Sequence, residues 1–267
     1  MLVPLLTVAC GARSTKGSPD QQGAGGHAGT DMGPEWTGGC GGELTFKDPV
    51  VEAGVRQAAG MATGPLTAAT VAAVRSLYLK GVHTLAGVEC LPALSALQAE
   101  DGSVSDLAPL AGLSALRSLF VRNNAIVELD PLAALPGLQE LRISGNGITS
   151  LAPLAALESV EVLEVRANAL TELAPLSAVT ALRRLYASQN AITELSPLTG
   201  LEALHVVDVA DNQIASLDGL TLPLFRCDSN LNVAHNPLPA GEVQRFCDAG
   251  WFVTWDEDST CNSPCLK

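Results

Sequence analysis

Arginine and aromatic side chains concentrate in the middle of an otherwise acidic chain. Six of the fifteen basic residues fall within residues 117–184, whereas the whole chain has a net charge of −13. Arginine with tyrosine or phenylalanine is typical of interface hot spots, because these side chains combine contact area with directional hydrogen bonds. The chemistry that this segment indicates is therefore recognition of another molecule.

The spacing of these residues predicts that they share one face of a sheet. The middle residues of successive short strands are Gln98, Phe120, Arg142, Glu164, Tyr186, Asp208 and Asn232. Residues two positions away on the same strands would point to the same side. The predicted partner-binding residues are Phe120, Arg122, Arg142, Glu164, Arg166, Arg184, Tyr186 and Asp208. One hypothesis is that they dock the acidic surface of a protein partner; the alternative is that Arg142, Glu164, Glu140 and Arg166 neutralise one another across adjacent strands.

A repeat of 22 residues must position this face. Leucines recur at this interval at Leu107, Leu129, Leu151, Leu173, Leu195 and Leu217. The segment Leu116–Ile126 has the pattern L-x-x-L-x-L-x-x-N-x-L, which is the signature of a leucine-rich repeat. Each repeat would contribute one strand to a parallel sheet, with the first and third residues of the strand pointing inward.

Two further columns specify the rest of each coil. A ladder of asparagines, whose amides can both donate to and accept from buried backbone groups, comprises Asn124, Asn146, Asn168, Asn190, Asn212 and Asn236. We assign these asparagines a structural role rather than ligand binding, and Gly102 occupies their position in an earlier repeat. Prolines follow at Pro109, Pro131, Pro153, Pro175 and Pro197, where they disfavour long helices and favour short 3₁₀ turns.

The sequence thus predicts an α/β solenoid. Its fold would be a right-handed leucine-rich-repeat horseshoe with a parallel β-sheet on the concave face and short 3₁₀ turns on the convex face. A helical cap over residues 44–75 would cover the first turn, because Asp48 and Pro49 form a helix start. The repeats would occupy residues 76–238, and an aromatic, cysteine-containing cap residues 239–267.

The first 43 residues have a different composition. Residues 1–10 are apolar and end at Cys10, like the end of a bacterial lipoprotein signal whose cysteine becomes lipidated; a disordered apolar N-terminus is the alternative. Residues 11–43 are rich in Gly and Ser, which predicts a disordered linker. Together these segments suggest a domain held at the membrane by a lipid anchor alone.

The remaining cysteines suggest disulfides, because their number is even in a chain that looks exported. The candidates, expected to pair among themselves, are Cys227, Cys247, Cys261 and Cys265. Cys90 is in register with small residues of later repeats, so it could be a small buried plug or the partner of Cys40. Zinc bound by Cys261 and Cys265 with His235 is a weaker alternative, and no metal is predicted.

Several functional classes lack support in the sequence. A net charge of −13 argues against nucleic-acid binding, and no apolar run is long enough to span a membrane. No Ser-His-Asp, phosphate-loop or His-Glu metal pattern appears, so neither an enzyme nor a cofactor is predicted. A structural or polysaccharide-binding envelope protein remains an alternative, although only Phe120 and Tyr186 offer aromatic rings on the predicted face.

The chain resembles the internalin-type bacterial leucine-rich-repeat proteins. Their 22-residue repeats carry the same Leu-x-Pro-Leu step, and the helical start at Asp48 and Pro49 is similar to theirs. The resemblance covers about residues 46–238 and implies a surface-displayed or extracellular module that binds proteins through its concave sheet. We therefore expect a monomeric protein-binding module in the bacterial cell envelope. The cysteine-rich C-terminal cap departs from the family, so host adhesion is not carried over.

Overall fold

A computed structural model describes residues 39–221, 229–239, 241–256 and 259–261. All of these residues belong to one compact unit, Trp36–Lys267. The predicted lipidation site Cys10 and the disulfide candidates Cys227 and Cys265 lie outside the described residues. Across the described ranges, no helix combines the length and apolar character needed to cross a membrane.

A single ten-stranded sheet runs through the described part of the chain, and its strands follow one another in sequence order. Strands β1 to β9 are parallel, and β10 pairs antiparallel with β9. The strands are β1 Ser76–Lys80, β2 Ala96–Glu100, β3 Ser118–Phe120, β4 Glu140–Arg142, β5 Val162–Glu164, β6 Arg184–Tyr186, β7 Val206–Asp208, β8 Asn230–Asn232, β9 Phe252–Asp256 and β10 Ser259–Cys261. One strand per turn of the coil confirms the predicted leucine-rich-repeat solenoid.

In the ranges that the structure describes, six 3₁₀ helices form the opposite, convex side of the coil. They are Val88–Cys90, Ala108–Leu110, Asp130–Ala134, Ala152–Ala156, Ala174–Ala178 and Ser196–Leu198. All but the first have proline near their start, where the missing N–H leaves no hydrogen bond unmade. The prediction of short 3₁₀ turns is confirmed.

The core is a continuous stack of aliphatic side chains. In the repeat that contains β3, Leu116, Leu119, Val121, Ile126 and Leu129 are each no more than 1% exposed. Neighbouring repeats place equivalent residues directly above and below, because Leu119 is in register with Leu97 and Leu141. Each repeat therefore buries its apolar face only by stacking on the next one.

A helical cap covers the first turn, as predicted. Helix α1, Pro49–Ala58, buries Val51 and Val55, and helix α2 spans Ala68–Val71. Asp48 caps α1 by accepting a hydrogen bond from the Val50 N–H at 2.9 Å, and its second oxygen accepts one from the His83 N–H at 2.7 Å. The buried carboxylate thus joins the cap to the first turn of the coil.

The last turn is closed by aromatic residues and a disulfide. Helix α3, Gln244–Asp248, packs against β9, and Trp251 is 2% exposed. Cys247 and Cys261, both among the four disulfide candidates, are bonded to each other.

Ordered structure begins earlier than the sequence indicated. Cys40 is bonded to Cys90 in the first 3₁₀ helix, Glu43 pairs with Thr67, and Leu44 is buried. The predicted linker boundary at residue 43 therefore lies inside folded structure. Cys90 is only 3% exposed, so the buried position and the bridge to Cys40 occur together.

Gly102 has a steric reason to replace asparagine. The chain passes so close to the preceding turn that a Cβ at this position would lie 2.1 Å from the Val82 carbonyl oxygen. The neighbouring Ser103 N–H donates directly to that same oxygen at 2.9 Å. The first turn of the coil therefore has no room for a ladder amide at this point.

Candidate protein-binding face

The outward side chains of the strands form one aligned surface, which we call the concave face. Its central column, in register from β1 to β9, consists of Tyr78, Gln98, Phe120, Arg142, Glu164, Tyr186, Asp208, Asn232 and Thr254. Tyr78 is 70% exposed and was absent from the predicted set. In the sequence Leu77-Tyr78-Leu79 the alternation of side chains places Tyr78 on the outer face. The first turn is shorter than the others, however, and was not included when the outward residues of the repeats were aligned.

Acidic and basic side chains alternate across this face and pair over long sequence distances. Arg122 reaches past β4 to hydrogen-bond Glu164 and also lies 3.6 Å from Glu100. Arg166 reaches past β6 to Asp208 at 2.9 Å, and Asp208 accepts from the Asn232 amide at 3.0 Å. A continuous polar network therefore connects β2 with β8.

Glu164 is the centre of the network. Its carboxylate contacts Arg122 and Arg166 and also accepts a hydrogen bond from the Ser144 hydroxyl at 3.2 Å. The residue is only 8% exposed, so it is an internal counter-ion rather than an exposed contact residue. That position differs from the prediction that Glu164 itself meets a partner, because the flanking arginines cover it.

Two aromatic rings lie beneath guanidinium groups. The Cζ atom of Arg142 is 4.8 Å from the centroid of the Phe120 ring, and that of Arg166 is 4.6 Å from the centroid of the Tyr186 ring. Arg142 also pairs with Glu140. Such stacking and pairing fix long side chains that would otherwise be mobile, so the face is pre-organised.

The charge of the face is balanced more closely than the arginine count suggested. Arg122, Arg142 and Arg166 each have an acidic partner within 4.0 Å. The neutralisation alternative named Arg142 and Arg166 but not Arg122, and its pairing across adjacent strands occurs between Arg142 and Glu164 at 3.9 Å. Arg184 is exposed, and no ion pair to it occurs among the described residues. The local reversal of charge is therefore reduced to the surroundings of this one side chain.

A shallow depression of about 360 Å³ lies at the centre of the concave face. It is lined by Arg122, Glu140, Arg142, Val162, Glu164, Arg166, Arg184 and Tyr186. Phe120 and Asp208 join it through their contacts with Arg142 and Arg166. The structure therefore brings all eight predicted partner-binding residues to one contiguous surface.

Glu164→Gln tests the network through stability. Removing the shared charge takes from the partly desolvated Arg122 its nearest carboxylate and leaves it only Glu100 at 3.6 Å, while Arg166 keeps Asp208. We therefore expect the free energy of unfolding to fall by about 2 kcal/mol. Urea denaturation followed by circular dichroism measures it. The matched control is Glu161→Gln, whose exposed pair with Arg183 should contribute less than about 0.5 kcal/mol. Equal losses in the two variants would contradict the assignment of Glu164 as the central counter-ion.

The asparagine column satisfies backbone groups inside the coil. Asn168 accepts from the Ile148 N–H at 3.1 Å and donates to the carbonyl oxygens of Ile143, Val165 and Arg166 at 3.0–3.2 Å. Asn146, Asn190, Asn212 and Asn236 make the equivalent bonds. Asn124 accepts from the Val104 N–H and donates to two carbonyl oxygens. These amides thus serve the backbone of two adjacent turns.

The residue before each ladder asparagine from Asn124 to Asn236 takes a positive φ, which bends the chain inward. These residues are Asn123, Gly145, Ala167, Gln189, Asp211 and His235. Their varied side chains gave no consistent signal in the sequence.

At this edge of the sheet, the Asp101 carboxylate accepts a hydrogen bond from the Asn123 amide at 2.8 Å and lies 3.1 Å from the Lys80 ammonium group. The Asn123 hydrogen bond, followed by Lys80, lowers the pKa of Asp101, so this stabilisation is present above the unfolded-state pKa and is lost as the pH falls through the lowered value.

The histidines and cysteines of the described part are engaged locally. His83 Nδ1 is 2.7 Å from the Ser103 hydroxyl, and His235 Nδ1 is 2.8 Å from Asp211. Cys261, one of the three residues considered as zinc ligands, is disulfide-bonded to Cys247. No group of three or more His, Cys, Asp or Glu side chains suited to a metal ion occurs in the ranges that the structure describes.

Comparison with known proteins agrees with this geometry. A family model described as leucine-rich repeats in two copies matches residues 180–222. Internalin C2 from Listeria monocytogenes is similar in structure at 29% sequence identity, covering 66% of this chain and 92% of that chain, with a TM-score of 0.53. These matches support an internalin-type leucine-rich-repeat fold for this chain.

Two further solved structures resemble this chain in fold. The functional domain of InlJ from Listeria monocytogenes, which includes a cysteine ladder, shares 21% sequence identity with a TM-score of 0.57. The match covers 79% of this chain and 60% of that chain. A leucine-rich-repeat protein of Leptospira interrogans shares 20% identity with a TM-score of 0.62, over 70% of this chain and 50% of that one. No curated protein matches the sequence. The fold as such supports protein interaction in general.

Proposed function

We propose that this internalin-type protein is a monomeric protein-binding module that engages its partner with the concave face. The observation that supports the proposal best is the pre-organised surface around Arg142 and Tyr186. Its arginines are held over aromatic rings and between carboxylates before any partner arrives. A partner therefore pays little to order these side chains, which favours affinity from a shallow surface.

We further propose a location at the bacterial cell envelope. Cys10 would be lipidated, and the residues between it and Cys40 would tether the folded unit. Mass spectrometry of the protein purified from its native membrane tests this directly. A diacylated or triacylated Cys10 at the mature N-terminus supports the anchor, and an unmodified Cys10 rejects it.

The partner surface that we propose carries a few acidic groups but is not strongly acidic as a whole. Three of the four arginines lining the depression already have acidic partners, so the face would not attract any acidic protein indiscriminately. A predominantly apolar and polar contact with few acidic groups suits the balanced charge. Association should accordingly depend only moderately on ionic strength.

Arg142→Ala combined with Tyr186→Ala tests the concave face. Arginine and tyrosine are among the residue types that contribute most to interface hot spots, so the double substitution should weaken partner binding by at least about 100-fold. The wild-type full chain is first used to capture and identify the partner from envelope or extracellular extracts. Calorimetry with that purified partner then measures the affinity of each variant, and circular dichroism verifies that the variant is folded.

Glu172→Ala combined with Glu194→Ala is the matched control. Both glutamates line a separate depression between the asparagine turn and the 3₁₀ helices. We expect the affinity of this variant to remain within about twofold of the wild type. Unchanged affinity of the concave-face variant, or a loss confined to the control, would reject concave-face binding.

Polysaccharide binding is disfavoured by the state of the aromatic rings. Sugar platforms need exposed ring faces, yet Arg142 and Arg166 stack on Phe120 and Tyr186. Tyr78 is the well-exposed ring of the central column, and it lies on β1, far from the depression. We do not propose catalysis, because the depression is shallow and its carboxylates are held in ion pairs.

A further inference from the structure

Arg184 differs from the other arginines of the concave face in its neighbours. Along the sheet it is in register with Val162 on one side and Val206 on the other. Neither valine can neutralise a guanidinium, whereas Arg122, Arg142 and Arg166 each have a carboxylate within reach. The position of Arg184 therefore presents an exposed cation between two partly exposed apolar side chains.

The acidic side chains around Arg184 already form ion pairs with other arginines. Glu140 pairs with Arg142, Glu164 with Arg122, and Asp208 with Arg166. On the neighbouring turn, Glu161 pairs with Arg183 rather than Arg184. Within the described part of the chain, no carboxylate within 4.0 Å remains for Arg184.

The depression beside Arg184 favours an anion. Its lining contains four arginines, and three of them pair with Glu164, Glu140 and Asp208, so the positive charge of Arg184 is left uncompensated on a chain of net charge −13. Val162 and the Tyr186 ring form part of the wall, and exclusion of water there would strengthen a charged hydrogen bond. At about 360 Å³, the space admits one side chain with its carboxylate.

We propose that Arg184 anchors a single carboxylate of the partner, while Val162 and Val206 contact apolar side chains that flank this carboxylate. The inference rests on the proposed function and makes it specific, because the recognised element becomes an acidic residue within an apolar segment of peptide. The guanidinium offers a planar pair of N–H donors that suits such a group. A glutamate side chain and a free chain end present the same chemistry, and the experiment separates them.

Nuclear magnetic resonance of the arginine side chains tests the anchor with defined probes. The full-length protein, labelled with ¹⁵N at arginine, is titrated with the peptides Ac-Val-Glu-Val-NH₂, Ac-Val-Gln-Val-NH₂ and Ac-Val-Gln-Val-OH. The glutamate peptide should shift the Arg184 Nε–Hε signal in a saturable way, with a dissociation constant of order 1 mM for so small a ligand. Ac-Val-Gln-Val-NH₂, which has no carboxylate, should not shift this signal. A shift caused by Ac-Val-Gln-Val-OH alone would show that the site binds the carboxylate at the end of a chain rather than a glutamate side chain.

Arg184→Gln and Arg183→Gln form the matched pair of variants. Arg184→Gln has lost the reporting signal, so its titration is followed through the Nε–Hε signals of Arg142 and Arg166, which line the same depression. The variant should bind the glutamate peptide about 10-fold or more weakly, as expected for loss of a charge-assisted hydrogen bond. Arg183→Gln removes the same charge from the adjacent residue, whose guanidinium pairs with Glu161, and should change binding by less than about twofold. Equal weakening by both variants would indicate general attraction and overturn the anchor.

The outcomes separate this inference from the function on which it rests. Absence of saturable binding of any carboxylate peptide up to about 10 mM, well above the expected dissociation constant, overturns the anchor. An identified partner that binds wild type and Arg184→Gln equally, but fails to bind the Arg142 and Tyr186 double variant, also overturns the anchor and leaves concave-face binding intact. A partner that is indifferent to both variants instead rejects the proposed function.

Discussion

Asn168→Ala is expected to lower the free energy of unfolding by about 3 kcal/mol, because it leaves a backbone N–H and up to three carbonyl oxygens without their hydrogen bonds inside the coil. Alanine can neither accept from the Ile148 N–H nor donate to the three carbonyl oxygens, so all four hydrogen bonds are lost together. Urea denaturation monitored by circular dichroism measures the change.

Asn232→Ala is the matched control for the ladder. This asparagine lies on the concave face, where its amide donates to the Asp208 side chain and its side-chain oxygen accepts from the Ala234 N–H at 3.2 Å. Its removal should cost less than about 1 kcal/mol, because Asn232 makes two hydrogen bonds where the likewise half-buried Asn168 makes four. Losses of the same size at Asn168 and Asn232 would show that the ladder amides do not have the stabilising role that their geometry indicates.

Replacing both Cys40 and Cys90 by alanine should have a comparable or larger effect. The bridge closes a loop with a sequence separation of 50 residues, and the chain-entropy relation then gives about 4 kcal/mol of stabilisation. Removing both thiols avoids leaving a reactive cysteine in the cap. Denaturation of wild type and variant is compared in a buffer without reductant, followed by wild type with reductant.

The shorter bridge provides the comparison. Cys247 and Cys261 are separated by 14 residues, for which the same relation gives about 3 kcal/mol. Loss of the Cys40–Cys90 bridge should also expose residues 41–75 to proteases before the repeats unfold, since it frees that end of the helical cap. Identical unfolding midpoints and cleavage patterns for wild type and the Cys40/Cys90 variant would contradict a stabilising role for the bridge.

The repeats could be predicted from the sequence because one physical requirement recurs every 22 residues. Leu119 must be apolar and inward for the same reason as Leu141, and Pro131 must follow Leu129 for the same reason as Pro153 follows Leu151. Each copy of the pattern therefore supports the others. The fold class needed no information beyond this periodicity and the side-chain types.

The ion pairs of the concave face could be predicted from the sequence only in part. Glu164 is covered because Arg122 and Arg166 extend over it, and Arg122 bypasses the strand that lies between them. Whether a long side chain meets its nearest neighbour or the next one depends on rotamers that the alternation of residues does not determine. Pairing between adjacent strands was foreseen, whereas pairing that bypasses a strand was not.

The first turn shows why irregular repeats are harder to interpret. It is shorter than the others, so Tyr78 did not fall into the numbered column, although it is in register with Gln98 in the sheet. Cys90 occupies a position filled by small residues elsewhere, and that composition could not distinguish a plug from a bridge. Both ambiguities arise where the coil meets its cap and the period no longer applies.

The bond between Cys40 and Cys90 also determines how a mechanical load would enter the fold. A pulling force applied to the chain ahead of Cys40 passes through the sulfur atoms directly to Cys90 and bypasses the 49 residues between them. The helical cap and β1 would then carry none of the tension. Reducing the bond would place these residues under load, and their unfolding would then add about 170 Å of contour length. In the oxidised protein the first element under tension is the convex side of the first repeat, so stretching would begin at the repeats rather than at the helices.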